Sequence, residues 1–586
     1  GILIADRNAN LSDFFNWNLL SDIPSSTEPF DRIVKFEQWV LAHSLGSPEV
    51  IYANEGSGWI PVSGTEGVQT QDIALAGEQV IFAYSNFVQV RNTTLTNDIS
   101  ISSYPFDESV RPRATIPGDD GDYWIGDENY GLVHYRTSDD VSSISPEGPF
   151  VNESWQIDAG FGQLYIAHGE LKGNFDNNFS NDQHSGLEEG QWAFSEALED
   201  FPEIRDIVDV RIDPFDPDKK YFASFYRGLL EYDTSSDEYA LYSELQGNAP
   251  LVGSNLLEDR IQVGNLEFDQ FGNLWCTNNY TDNPFVVKKR SGDWASLDCD
   301  ALSGLALLGE MAVTDEGQTW CVLPRGAGLA MLQHNNDLEN TSEHQCKTFT
   351  TAVGNGGLPT TSVLSIAKDL DGEIWLGTAE GPVVNYSPLS IFTNNPVDFQ
   401  SILVERDGNV ERLLGSESIT AIAVDGANRK WLGTLTGGVF LLSEDGTEEI
   451  LHFTETNSPL FSDVIKDIAI DGSTGAVHIA TEKGTLTYLG DATDGGLENE
   501  CFDIYPNPVR PGYEGPITLD GLIQDSEVKF TDVGGNIVFQ TFSNGGRVVW
   551  NGRDFSGNRV STGVYFALVS DVEGSSTCIS KILFIN

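Results

Sequence analysis

At 586 residues the chain is too long for a single hydrophobic core, so two or more domains are expected. Its 89 acidic against 32 basic residues leave a formal net charge of -57, which repels phosphate backbones and excludes nucleic acid as a partner class. With 59 Gly, 12 Trp and 32 Phe against only 2 Met, the composition suits a turn-rich all-β protein.

The opening residues 1–6 (GILIAD) match the middle of a repeated unit, and further blades are expected upstream of them. Aligned on its central apolar residue, the unit recurs at Ile4, Val40, Phe82, Trp124, Tyr165, Phe222, Trp275, Trp320, Trp375, Trp431 and His478. That is about eleven units, more than one propeller ring holds. The first four lie about 40 residues apart and the later ones usually about 45 to 57. The turn-rich stretch SPEGP (145–149) falls between the fourth and fifth. Residues 1–148 are therefore expected to form the last four blades of one propeller, and 149–495 a complete seven-bladed one. An interleaved pair of rings stays open.

The Asn/Asp-rich segment 169–190 breaks the blade pattern and is expected to be a long surface loop. Residues 369–386 (DLDGEIWLGTAEGPVVNY) are the clearest unit. Asp371-Gly372 is expected to be a two-residue hairpin turn before the strand of Ile374, Trp375 and Leu376. Gly377 would leave room where backbones converge. The same punctuation recurs at 120–135, 269–278, 315–332 and 425–442.

The pattern stops near 491–496. In 501–522, Pro506, Pro508 and Pro511 block central pairing, so this stretch is expected to run as an edge. Short alternating strands follow at 528–531, 537–541, 548–550, 564–569 and 578–585, with hairpin signals at Gly534-Gly535 and 556–558. About seven strands in 500–586 suggest a small immunoglobulin-like sandwich.

No run approaches 18 apolar residues, so no segment is expected to span a bilayer as a helix, and no signal-peptide pattern is present. Six Cys occur without a CxxC pair, which excludes a zinc ribbon or a thioredoxin motif. Cys501 and Cys578, placed in the first and last strands of the C-terminal domain, are the candidate disulfide. For Cys276, Cys299, Cys321 and Cys346, buried free thiols and bridges are equally open.

Residues 369–373 resemble a calcium loop only superficially, because Trp375 to Gly377 would have to leave their strand to reach a later ligand. Residues 314–320 (TDEGQTW) are similar to the Asp box of sialidases, a structural turn, but the Arg triad, Tyr nucleophile and carboxylate partner of such an enzyme cannot be assembled. The eight His show no HxH or HExxH spacing, and neither GxSxG nor GxxxxGK[ST] occurs. No catalytic residue, metal site or cofactor is therefore expected.

Residues 357–381 (GLPTTSVLSIAKDLDGEIWLGTAEG) resemble the two-component-regulator propeller repeat of Bacteroidetes. The tail resembles the type IX secretion C-terminal sorting domain in YPNPVRPGY (505–513), VKFTDVGGNIV (528–538), WNGRDFSGNRVSTGVYFALV (550–569) and KILFIN (581–586). Its signature positions here are Tyr505, Pro506, Asn507, Pro508, Gly535, Asn536, Gly563, Val564, Tyr565 and Lys581. The order of parts resembles the PorZ-like, two-propeller surface proteins of that secretion system. The resemblance implies a non-enzymatic protein on the extracellular face of the outer membrane, with about three blades missing at the start. It also implies a PorU-like sortase, a PorV-like shuttle barrel, a PorQ-like protein and the translocon as partners, and anionic lipopolysaccharide as a ligand. A type IX-secreted propeller enzyme or adhesin acting on polysaccharide stays open as the alternative.

Overall fold

The computed structural model describes residues 1–586 except 7–9, 11, 107–108, 119–120, 145–147, 196, 407, 503 and 586. Most of the expected break at 145–149 thus lies outside the described residues, as do Asp120, Asp503 and Asn586 of the quoted motifs. The chain divides into Gly1–Glu147 and Gly148–Asn586.

The first unit carries three four-stranded antiparallel sheets, whose innermost strands are Phe30–Phe36, Thr70–Ala76 and Pro112–Pro117. The expected first blade is only a pair, Leu3–Ile4 against Asn18–Leu19. One carboxylate links the three full blades. Asp72 accepts from Arg32 Nη1 at 2.6 Å and from the Thr115 backbone N–H at 2.9 Å. Between the blades Phe36, Leu41, Ile51 and Phe82 are buried, because a single blade cannot cover its own apolar faces.

In the second unit seven blade sheets follow one another, with a two-stranded hairpin, Leu403–Arg406 against Asn409–Arg412, between the fifth and sixth; among the described residues six blades have four strands and the last has three. Their innermost strands are Gln156–Gly160, Ile207–Ile212, Val263–Phe268, Met311–Val313, Val363–Lys368, Ile419–Val424 and Ile465–Asp471. The seventh packs on the first through Ile157, Leu164, Ile166, Ala469 and Ala480, so this ring closes on itself.

Every blade junction of the ring carries a side-chain hydrogen bond to the next inner strand. Asp467 accepts from Ile157 N at 2.8 Å, Asp158 from Ile212 N at 2.7 Å, and Asp209 from Leu266 N at 2.7 Å. Asn265 accepts from Met311 N at 2.9 Å and Glu310 from Ile366 N at 3.2 Å. The last two junctions use hydroxyl donors: Ser365 to the Ile419 carbonyl at 3.2 Å, and Thr420 to the Ile465 carbonyl at 2.8 Å. The belt satisfies inner-strand groups that have no sheet partner on the channel side.

The recurrent aspartate and tryptophan form a clasp. Asp269, Asp369 and Asp425 each accept the indole N–H of the Trp six residues on, at 3.2, 3.1 and 3.2 Å. In the fourth blade Gln318 does this for Trp320 at 3.1 Å. Asp369 also accepts the Asp371 and Glu373 N–H groups, and Gly372 N bonds back to its carbonyl at 3.1 Å. The expected two-residue turn is therefore a three-residue one, with only Gly372 left-handed at φ +78°. A Cβ at Gly377 would collide with Ser365 Oγ and the Ile419 carbonyl.

The segment at 169–190 differs from the surface loop expected of it. His184–Glu188 is a strand, and 169–183 folds over the ring as a strap with Leu171 and Asn177 buried. The Asn177 amide explains this inward turn. It donates to Asp206 Oδ2 at 2.9 Å and the Phe225 carbonyl at 2.6 Å, and accepts from Gln262 at 3.1 Å.

The C-terminal sandwich sets Ile517–Leu519 and Val548–Trp550 against a sheet ordered Ile537–Phe542, Glu527–Asp532, Gly563–Ser570, Thr577–Phe584. Among the described residues six strands are present where about seven were expected, because the proline-rich edge contributes single-residue pairings there, Tyr505 with Thr518 and Val509 with Phe584. Trp550 fills the core, its ring 4.4 Å from that of Phe530. Cys501 bonds to Cys578 but precedes the first strand rather than lying in it. A second disulfide, Cys299–Cys346, ties the third blade to the outer strand of the fourth, while Cys276 and Cys321 are buried free thiols.

Candidate functional site

The channel of the second propeller has two chemically different halves. A cavity of about 610 Å³ opens on one face, lined chiefly by Trp155, Leu171, Phe175, Phe225, Leu307 and Leu364. A second, of about 500 Å³, lies on the other side and is lined by Asp158, Arg211, Glu267, Lys368 and Asp467. Gln156 and Glu310 line both, and Gln156 Nε2 donates to Glu310 Oε1 at 3.2 Å across the neck.

Burial and the neighbouring Asp467 push the Glu310 carboxyl up to about 8, so the neck holds a proton at neutral pH. Burial opposes the charge of Arg211, yet Asp209, Glu267, Asp158 and Asp467 together raise its affinity for a proton. Glu267 keeps 32% of its side chain open to the channel, so burial weighs less there than on Asp209, which is fully enclosed. These carboxylates serve the belt and Arg211. Among the described residues no group of three or more His, Cys, Asp or Glu is arranged to hold a metal ion.

The strap crosses the apolar mouth. Leu171 and Phe175 point into the cavity, Arg325 Nε donates to the Asn174 carbonyl at 2.7 Å, and Lys466 meets Glu170 at 3.4 Å. Lys466 also sits 5.2 Å over the Trp155 ring. Just outside lies a rim of cations on aromatic faces. Phe179 is 44% exposed, with Arg260 at 5.0 Å and Lys172 at 5.8 Å over its ring. Tyr226 meets Phe179 edge-on at 5.8 Å and carries Arg227 at 4.1 Å. Such a surface suits rings bearing negative charge. Sequence reasoning missed it because its members come from three separate stretches, with only Tyr226-Arg227 adjacent as a signal.

The sandwich is sealed to the sixth and seventh blades. Arg547 grips Asp520 through Nε at 2.6 Å and Nη2 at 3.0 Å, while its Nη1 donates to the Thr474 carbonyl of the seventh blade at 2.8 Å. Gly546 N donates to the Thr493 carbonyl at 2.8 Å. A Cβ at Gly545 or Gly426 would collide with that same carbonyl, so the seam admits only glycine there. Asp491 joins both sides, accepting from Arg429 at 2.7 Å and Asn544 at 3.1 Å.

The signature residues of the tail are not gathered into one site. Tyr505 OH donates to Asp520 at 2.8 Å, beside the seam. Asn507 stitches the proline edge, Pro506 and Pro508 included, to the last strand, donating to the Lys581 carbonyl at 2.8 Å and accepting from Leu583 N at 3.1 Å. Gly535 turns the hairpin at φ +82°, and Asn536 Nδ2 donates to Asp532 at 2.8 Å. Gly563, Val564 and Tyr565 pair with Phe584, Leu583 and Ile582, and Lys581 pairs with Phe566. Most of these residues hold the sandwich together.

No family model matches the chain, and no curated protein matches it by sequence. Among solved structures it is similar to PorZ of Porphyromonas gingivalis, described as an essential bacterial surface component of the type-IX secretion system. Identity is 21%, the match covers 100% of this chain and 79% of PorZ, and the TM-score is 0.68. Extracellular domains of two putative hybrid two-component systems of B. thetaiotaomicron match at 13% identity over 95% of this chain and 75% and 72% of theirs, but with TM-scores of 0.40 and 0.42 these likenesses carry no weight. Two sets of propeller blades followed by a docked sandwich give this chain the fold of PorZ.

Proposed function

We propose that the chain is a non-enzymatic component of a type IX secretion system, held on the extracellular face of the outer membrane. In this reading it docks a PorU-like sortase, a PorV-like shuttle barrel and a PorQ-like protein, and presents anionic lipopolysaccharide for attachment to cargo. The observation that carries it is the match to PorZ across all three parts, at a TM-score of 0.68 over 100% of the chain. The rim of Phe179, Tyr226, Lys172 and Arg260 supports the ligand, since it offers local positive charge in a chain of net charge -57, Arg227 beside it being paired with Glu203 at 2.9 Å. The sealed seam supports a sandwich kept as part of the working protein. Its exposed Tyr505, Asn536 and Lys581 are where the translocon and shuttle would read it.

Deletion of 500–586 tests the export half of the proposal. The truncated chain is expected to stay in the periplasm of a type IX-competent cell. Surface display of the truncated chain, measured by antibody labelling of intact cells, would overturn it.

A further inference from the structure

The three Asp–Trp clasps differ in what else meets the aspartate. On the third blade it is the neutral Asn273 amide, and on the sixth the Arg429 guanidinium. On the fifth it is an amine from the neighbouring blade: Lys430 Nζ lies 3.0 Å from Asp369 Oδ2, with the two side chains 0% and 1% exposed. The Nζ sits 4.8 Å over the Trp375 ring and donates to the Asn428 and Glu444 carbonyls at 2.8 and 2.6 Å. Asp369 Oδ1 is held by two backbone N–H groups, of Asp371 at 3.1 Å and Glu373 at 2.9 Å, and Oδ2 by the Trp375 indole at 3.1 Å. The Glu373 carboxyl lies close enough to the Asp369 carboxyl for that charge to raise it, after burial.

We propose that Lys430 and Asp369 condense into an intramolecular amide, a covalent tie between the fifth and sixth blades, with Glu373 as the acid–base group. The ammonium first passes a proton to Asp369 Oδ2, 3.0 Å away, leaving a free amine beside a neutral carboxylic acid. The amine then attacks Asp369 Cγ, and the negative charge gathers on Oδ1, where the two backbone donors already point. Glu373 takes a second proton from the nitrogen and hands it to the Oδ2 hydroxyl, the Cγ–Oδ2 bond breaks, and Oδ2 leaves as water. An ammonium and a carboxylate become one amide and one water, and Glu373 ends as it began. Burial and the adjacent Asp369 push the Glu373 carboxyl up to about 7, which suits it to exchange protons near neutrality.

Holding amine against carboxyl replaces a bimolecular encounter, and a dry site opposes the reverse hydrolysis. The product keeps its amide oxygen on the two backbone donors and its remaining N–H beside the Glu444 carbonyl. The other fully buried lysine pair lacks this seclusion: Lys220 Nζ meets Glu188 at 2.6 Å, but 32% of the Glu188 side chain reaches solvent.

Intact-mass spectrometry of the folded full chain tests the proposal. The chain is expected one water lighter than its disulfide-bonded sequence mass, and digestion is expected to release a branched peptide joining Asp369 to Lys430. Lys430→Arg and Glu373→Gln are expected to fold, by circular dichroism, and to show the full mass. Full sequence mass in the folded parent chain would overturn the proposal. So would a water loss that maps to Asp371-Gly372, where cyclisation to a succinimide has the same mass.

Discussion

At the scale of the residue, Glu310 is the group whose environment makes the clearest demand. Its carboxyl is raised from 4.5 to about 8, first by burial and then by Asp467. A raised acid binds its proton more tightly in the folded state than in the unfolded one. Its contribution to stability is therefore whole below about pH 4.5 and is lost as the pH climbs through about 8. Thermal unfolding is expected to show a falling midpoint from about pH 5 to about pH 8, and Glu310→Gln is expected to flatten that fall. Self-repulsion of a chain at -57 acts in parent and variant alike, so the difference isolates Glu310. Identical slopes would contradict this assignment. On the rim, Phe179 is exposed enough for Phe179→Ala to leave the fold intact. That change, or Arg260→Gln, is expected to weaken binding of purified anionic lipopolysaccharide by roughly tenfold, read by calorimetry, and unchanged affinity would remove the rim from the site.

At the scale of the element, the decisive joint is the hairpin tip that meets the sixth and seventh blades. Arg547→Ala removes the Nη1 donor that reaches the Thr474 and Gly490 carbonyls across the joint and is expected to weaken it by about 1–3 kcal/mol. Hydrogen exchange checks this: the Gly546 amide, bonded to the Thr493 carbonyl, is expected to lose protection, while strands such as Gly563–Ser570 keep theirs. Unchanged protection would mean that the glycine packing alone holds the seam. Much of this level was legible in the chain. The strands around Trp275, Trp320, Trp375 and Trp431 announced themselves because a short apolar run between glycine turns has few alternatives. The strand Val548–Trp550 lies where alternation places it. The strap was not legible, because what folds 169–183 inward is one buried amide, Asn177, among many exposed ones. Neither was the Cys299–Cys346 bridge, since its partners belong to different blades and spacing carries no sign of the pairing.

At the scale of the whole molecule, repeated four-stranded sheets and a sandwich share one chain. The second ring closes on itself through Ile157 and Ala469 with a hydrogen-bonded belt around its channel. That belt commits most of the channel's carboxylates to structure. The mouth and rim were invisible in the sequence for the reason that makes propellers useful: each blade lends one or two residues to a common face. The central claim is that the chain works on the cell surface as a docking component of a type IX system, with its sandwich attached. Affinity purification of the full chain from native outer membranes, followed by mass spectrometry, tests it most directly. The account predicts that a sortase and a shuttle barrel co-purify and that peptides from 548–584 are recovered from the surface-located chain. Recovery of the chain alone, or of a chain cut ahead of the sandwich, would contradict it.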